Sequence, residues 1–184
     1  MSTAAPITPI IIRPSAHSDV SAIAAIYGRS VETGTASWEY EPPDVEEIGR
    51  RRDAVMASGF PYFVAESEGR LVGYAYASSY RARIGYRFVV EDSVYVAEAW
   101  RGCGVGKSLL STLIAECEKL GFRQMIAVIG DSENTGSIVL HERCGFQHVG
   151  RFTGMGYKFG RWLDSVQMVR VLGEGSDTPP SVLI

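Results

Sequence analysis

Cysteine and histidine are scarce, three of each in 184 residues, and no stretch approaches the roughly 20 consecutive apolar residues of a bilayer-spanning helix. The cysteines, Cys103, Cys117 and Cys144, are odd in number and far apart, with no CxxC pair among them. That excludes a disulfide scaffold and a zinc framework, so no metal site is expected and the thiols are read as reduced, as in a cytoplasmic protein. An excess of positive charge is also missing. The formal net charge is -3, which gives no electrostatic reason to expect nucleic acid or an anionic membrane as partner. Local basic residues are therefore read as sites for small anions or as plain surface. The opening MSTAAPITPIIIRP has no basic start and one short apolar run, so it is not read as a signal peptide. No internal repeat or low-complexity linker divides the chain.

What is present suffices for one core. Apolar residues make up 46% of the sequence and charged residues 21%, ordinary for a globular domain of this length. Residues 1–9 and 173–184 are small, polar or proline-containing and are expected as loose tails around a domain spanning 10–172. Within it, Ile10–Arg13 reads as a strand. Ile23, Ile26, Tyr27 and Val31 recur at helical spacing behind Ser18 as cap. Asp44 with Glu47 has the form of a capping box opening a helix to about Ser58. Strands are expected at Pro61–Glu66, Leu71–Ser79 and Phe88–Val96, and a helix with the stripe Leu109, Leu110, Leu113, Ile114 and Cys117 is stopped by Gly121. A strand at Met125–Ile129, a helix at Asn134–Cys144 and strands at Phe146–Phe152 and Val166–Leu172 complete the order. The pattern predicts an α/β (α+β) domain with a mixed central β-sheet flanked by helices.

The segment VYVAEAWRGCGVGKSLL runs from strand through a glycine-rich turn into a helix. Unpaired amide hydrogens and the positive end of a helix dipole then converge on one point, and glycine lets the backbone approach a phosphate closely. Arg101 and Lys107 add charge beside it. The Walker pattern GxxxxGK needs glycine where Arg101 stands. The dinucleotide pattern GxGxxG meets Lys107 when started at Gly102 and Leu109 when started at Gly104. Neither nucleotide site fits. Arg101, Gly102, Cys103, Gly104, Val105 and Gly106 resemble instead the pyrophosphate loop of the GCN5-related N-acetyltransferase (GNAT) superfamily. Asn134-Thr-Gly-Ser137-Ile-Val-Leu140-His141-Glu142-Arg-Cys-Gly145-Phe146 resembles the superfamily's helix beside the pantetheine arm, with His141 where the family has tyrosine.

The resemblance extends to the phosphinothricin and methionine sulfoximine acetyltransferases through TASWEYEPP, ARIGYRFVVEDSVYV and GYKFGRWLDSVQM, and spans roughly Ile12 to Arg170. It implies acetyl-coenzyme A as co-substrate and a small amine as acceptor. Cofactor contacts are implied for Val94, Tyr95 and Val96, for Arg101 through Lys107, and for Asn134 and Ser137, Asn134 serving equally well as a helix cap. Glu91 is implied as the base, since only an unprotonated amine attacks a thioester. Strand alternation places Glu91, Ser93 and Tyr95 on one face and Asp92, Val94 and Val96 on the other. His141 or water is the expected proton source for the leaving thiolate. Arg81 and Arg83 are candidates to grip a substrate carboxylate, with Arg87 read as surface. Trp38 is expected either over the substrate or in the core. Cys103 has no histidine nearby in sequence and is not read as a nucleophile. The subfamily's members are commonly dimers, so a homodimer is expected, with Tyr157, Phe159 and Trp162 serving an interface or filling the core. Two other functions stay open, a GNAT enzyme acting on another amine and a non-catalytic acyl-coenzyme A sensor.

Overall fold

The computed structural model describes residues 9–180. Seven strands form one mixed sheet: β1 (Ile11–Pro14), β2 (Tyr62–Ser67), β3 (Arg70–Ser79), β4 (Val89–Val96), β5 (Gln124–Gly130), β6 (Gln147–Lys158) and β7 (Arg161–Val171). Four helices flank it: α1 (Val20–Thr33), α2 (Val45–Ala57), α3 (Val105–Lys119) and α4 (Thr135–Arg143). The spatial order is β1-β2-β3-β4-β5-β7-β6, antiparallel throughout except between β4 and β5. The sheet separates two apolar cores. On one face Leu109, Leu110, Leu113, Ile114 and Cys117 of α3 pack on Val90, Met125 and Met168. On the other, Val20, Ile23, Tyr27 and Val31 of α1 and Ile48 of α2 pack on Tyr62, Val64 and Tyr74. Each fully buried leucine contributes about 1.5–3 kcal/mol, so the α3 stripe holds that helix in place.

Local details differ from the sequence expectation for physical reasons. Ser18 does not cap α1. It lies in a short turn, and the residue before the helix is the buried Asp19, whose side chain caps no amide of α1 and instead accepts from the Ala16 amide at 2.7 Å and from both Arg13 guanidinium ends at 2.8 Å. Asp44 caps α2 by accepting from the Glu47 amide at 2.7 Å, but Glu47 does not complete the box, because its carboxylate pairs with Arg50 and Arg51. β6 and β7 run longer than their hydrophobic alternation predicts. Their register shifts between His148 and Gly150 and between Phe152 and Gly156, which breaks the period. Residues 1–8 and 181–184, part of the expected tails, lie outside the described residues. The segment after Leu172 turns back onto Arg123, whose Nη1 donates to Gly175 O and Thr178 Oγ1, each at 3.3 Å.

Candidate active site

β4 and β5 share only three rungs, Val89–Gln124, Val90–Met125 and Glu91–Ile126, and then part. The open cleft so formed is lined by Ser93, Val94 and Tyr95 on one side, Ala127 to Gly130 on the other, and Asn134, Ser137 and His141 of the α4 segment. The Ala97 amide donates to Val72 O on β3. Backbone groups alternate along a strand, so Tyr95 also turns its amide to β3, while those of Val94 and Val96 face the space that β5 has left.

Beyond Val96 a short turn leads into the glycine segment. Gly104 precedes α3 with φ +87°, a left-handed conformation that suits glycine. The first intrahelical bond there is Ser108 N–H to Gly104 O at 3.0 Å, so the amides of Val105, Gly106 and Lys107 have no helical acceptor and point out of the helix end. Arg101, Gly102 and Cys103 are exposed around them, as is Lys107. Val105 offers only its amide, because its side chain is fully buried in the core. This array of N–H donors with two cations suits a diphosphate.

Across the cleft, Asn134 caps α4, its side chain accepting from the Ser137 amide at 3.3 Å. His141, one helical turn on from Ser137, is buried. Its Nδ1 lies 2.7 Å from Ser137 O and its Nε2 3.0 Å from Asp92 Oδ2. Burial alone favours the neutral ring, but the hydrogen bond and charge of Asp92 win and hold the imidazolium above the usual histidine range.

On the opposite face, Glu91 is half-buried beside a tyrosine cluster. Tyr62, Tyr74, Tyr76 and Tyr95 stack with ring centroids 4.9–6.4 Å apart, and Tyr27 meets Tyr95 edge-on at 5.2 Å. Burial, then the neighbouring charge of Asp92, pushes the Glu91 carboxyl above its ordinary range. Ser78 is its cross-strand partner, and the loop leaving β3 two residues later carries the two arginines. Arg81 and Arg83 are exposed there. The Arg81 guanidinium rests over Tyr80 at 5.1 Å and Tyr86 at 5.8 Å. Arg87 stacks on Phe88 at 4.4 Å and donates to Ile84 O at 3.2 Å, a structural arginine.

Trp38 lies over two glycines. A Cβ on Gly156 would stand 2.6 Å from its ring, and one on Gly130 2.8 Å from its Nε1. The loop carrying it is tied down at several points. Ser37 Oγ meets Tyr27 Oη at 2.9 Å, Arg51 pairs with Glu39 at 2.6 Å, and Tyr40 Oη donates to Tyr157 O. Lys158 supplies the centre of this network, donating to Val31 O at 2.7 Å, Gly34 O at 3.0 Å and Ser37 O at 2.8 Å. Among the described residues no group of three or more metal-ligating side chains could hold an ion, and no helix is long and apolar enough to cross a membrane.

An acetyltransferase (GNAT) domain matches residues 12–167. The chain belongs to the GNAT acetyltransferase family. It is 52% identical to phosphinothricin N-acetyltransferase of Alcaligenes faecalis over 92% of its own length and 86% of the relative's. It is 40% identical to L-methionine sulfoximine/L-methionine sulfone acetyltransferase of Pseudomonas paraeruginosa, over 83% of this chain and 89% of the other. The crystal structure of a phosphinothricin acetyltransferase from Sinorhizobium meliloti in complex with acetyl-coenzyme A superposes with a TM-score of 0.91 at 46% identity, covering 94% of this chain and 93% of that one.

In this acetyltransferase the fold brings Val94, Asn134, Ser137 and His141 together around one cleft, with Val96 and the glycine turn beyond it at the end of β4. Glu91, Trp38, Arg81 and Arg83 belong to the other face and its loops. Tyr95 lines the cleft, but its amide serves β3 and its ring belongs to the tyrosine cluster. Sequence reading missed Asp92 and Lys158. Alternation could have found Asp92, since it places a carboxylate on the same face as Val90, Val94 and Val96, where it must find a partner. Lys158, the last residue of β6 beside a hairpin turn, where lysine is usually solvated, carries no such signal.

Proposed function

We propose that this acetyltransferase moves the acetyl group of acetyl-coenzyme A to the amino nitrogen of a small amino acid analogue, of the phosphinothricin or methionine sulfoximine kind, in a ternary complex. The observation that carries this is the parting of β4 from β5, with amide donors of the glycine turn at the far end of β4 and a half-buried carboxylate, Glu91, where the strands separate. When bound, acetyl-coenzyme A supplies a thioester, an acyl group open to attack by an amine. The first-turn amides of α3, with Arg101 and Lys107, hold its diphosphate. The cleft-facing amides of Val94 and Val96 are the donors offered to an oxygen that gains negative charge. Arg81 and Arg83 take the acceptor's carboxylate, and Trp38 covers its side chain.

An α-amino group titrates near about 8, so much of the acceptor arrives protonated at neutral pH. Glu91, with its carboxyl raised by burial, accepts that proton, directly or through one water. Both nitrogens of His141 are already engaged, so the leaving thiolate takes its proton from water. Cys103 sits in the phosphate turn with its Sγ 3.7 Å from Arg101 O and serves no covalent step. Glu91→Gln is expected to lower turnover by about 10²–10⁴-fold, with acetyl-coenzyme A affinity by calorimetry within a few-fold of wild type. Undiminished thiol release in that variant removes the base assignment. Failure of the wild type to acetylate methionine sulfoximine, methionine sulfone or phosphinothricin removes the acceptor class.

A second copy of the chain is the partner we place on the edge strand β6. Val149, Phe152, Met155, Phe159 and Trp162 of the β6–β7 hairpin are exposed, an apolar surface of the kind that a subunit interface covers. The three free thiols suit a reducing, cytoplasmic location.

A further inference from the structure

The ladder between β4 and β5 ends at Glu91, and the next residue, Asp92, turns its carboxylate to His141 of α4 instead. Both side chains are almost wholly buried, 5% exposed for His141 and 2% for Asp92. The ring's protonation follows from its partners. Ser137 O, 2.7 Å from Nδ1, is a carbonyl and only accepts, so Nδ1 carries a hydrogen. A neutral ring would then aim the lone pair of Nε2 at a carboxylate 3.0 Å away. A second ring proton removes that repulsion. His141 also lies in the last turn of α4, where the helix dipole favours a cation. Asp92 Oδ1 has no hydrogen-bond partner, so the carboxylate leans on His141 alone.

We propose that Asp92 and His141 form one buried ion pair that positions the site: it replaces the next rung of the ladder, holding α4 to β4 where the cleft begins, and keeps a compensated negative charge directly behind Glu91. The proposal rests on Glu91 being the base. Asp92 is its chain neighbour on the opposite face of β4, so its charge disfavours the Glu91 carboxylate, and the imidazolium offsets that repulsion from farther away.

The other groups around the pair are few. Cys117 of α3 and Cys144 after α4 both feel Asp92, and burial pushes both thiols up, Cys117 to about 12, so neither carries charge near neutral pH. Glu116 and Glu118 reach Cys117, while Lys107 and Arg170 act on Cys144. On the Glu91 side the titratable neighbour is Tyr76 of β3, a buried phenol held neutral, which also feels Arg51 and Glu39.

The test compares Asp92→Asn, Asp92→Ala and His141→Gln by the pH profile of kcat/KM and by ¹⁵N NMR of the His141 ring. A base works deprotonated, so the acidic limb marks its titration. Asp92→Asn removes the like charge and is expected to move the limb down by roughly half a pH unit. His141→Gln leaves Asp92 uncompensated and is expected to move it up. In the wild type the ring is expected to stay doubly protonated above the ordinary histidine value of about 6.5, and in Asp92→Asn to become neutral, accepting from the new amide. Asp92→Ala is expected to raise the KM for acetyl-coenzyme A several-fold, and Asp92→Asn, which keeps the hydrogen bond, to restore it. An unmoved limb in Asp92→Asn, shifts of the same sign in the Asn and Gln variants, a wild-type ring titrating at its ordinary value, or an unchanged KM in Asp92→Ala each overturns the proposal. If His141→Gln does not fold, Asp92→Asn and the ring titration still decide. Wild-type turnover in Glu91→Gln would instead sink the base assignment and leave the ring protonation to be judged by NMR.

Discussion

Lys158 shows how one side chain fixes a loop far away in sequence. It is 2% exposed, and its ammonium ends among the carbonyls of Val31, Gly34 and Ser37, where α1 finishes and the Trp38 loop begins. Burial shifts the ammonium below the ordinary lysine range, yet three carbonyl acceptors at a helix C-terminus keep it well placed. Lys158→Met keeps the length and removes the donors. It is expected to cost about 1–3 kcal/mol, read by urea unfolding, and to raise the acceptor KM several-fold while the acetyl-coenzyme A KM holds. An unchanged acceptor KM would mean that the Tyr27, Arg51 and Tyr40 contacts hold the loop unaided. At this scale the sequence was legible where a residue's task is local. Gly104, Asn134 and Asp44 announce helix starts. Tasks completed by a distant partner were hidden: nothing in the sequence pairs His141 with Asp92, 49 positions away.

Most elements were legible because periodicity reports which face is buried. The α3 stripe is buried in full, and β4 alternates as its sequence says, with Tyr95 toward α1 and Val94 and Val96 toward α3. The β6–β7 hairpin was harder. Its glycines and register shifts break the alternation, and its aromatic residues suit core and interface equally in sequence. The structure leaves Phe152 57% and Trp162 67% exposed, on the arm whose Lys158 and Tyr157 hold the Trp38 loop. Association through this arm, as proposed above, would therefore bear on the proposed acceptor site. The double variant Phe152→Glu/Trp162→Glu is expected to sediment as a species near 20.1 kDa where the wild type sediments at about twice that mass. A wild type already monomeric at micromolar concentration removes the interface.

At the scale of the molecule, the order of elements and the glycine turn were enough to read an α/β domain that binds a diphosphate, because a strand, a turn with open amides and a helix are all local in sequence. The cleft was not legible. It arises from two strands ceasing to pair, which no stretch of sequence displays. Its consequence is mechanical. In the sheet, the half made of β1 to β4 meets the half made of β5, β7 and β6 through three rungs, and a ligand lodged in the fork bears on both. Acetyl-coenzyme A should therefore work as a splint as well as a reactant. At a hundred times its Kd it adds about 2.7 kcal/mol, roughly 5–10 °C in Tm for a chain of this size, and it slows hydrogen exchange at Val94 and Val96. A melting curve indifferent to the ligand would mean that the fork needs no bracing. If the splint holds, the enzyme would be most rigid when loaded and would loosen as the spent coenzyme departs.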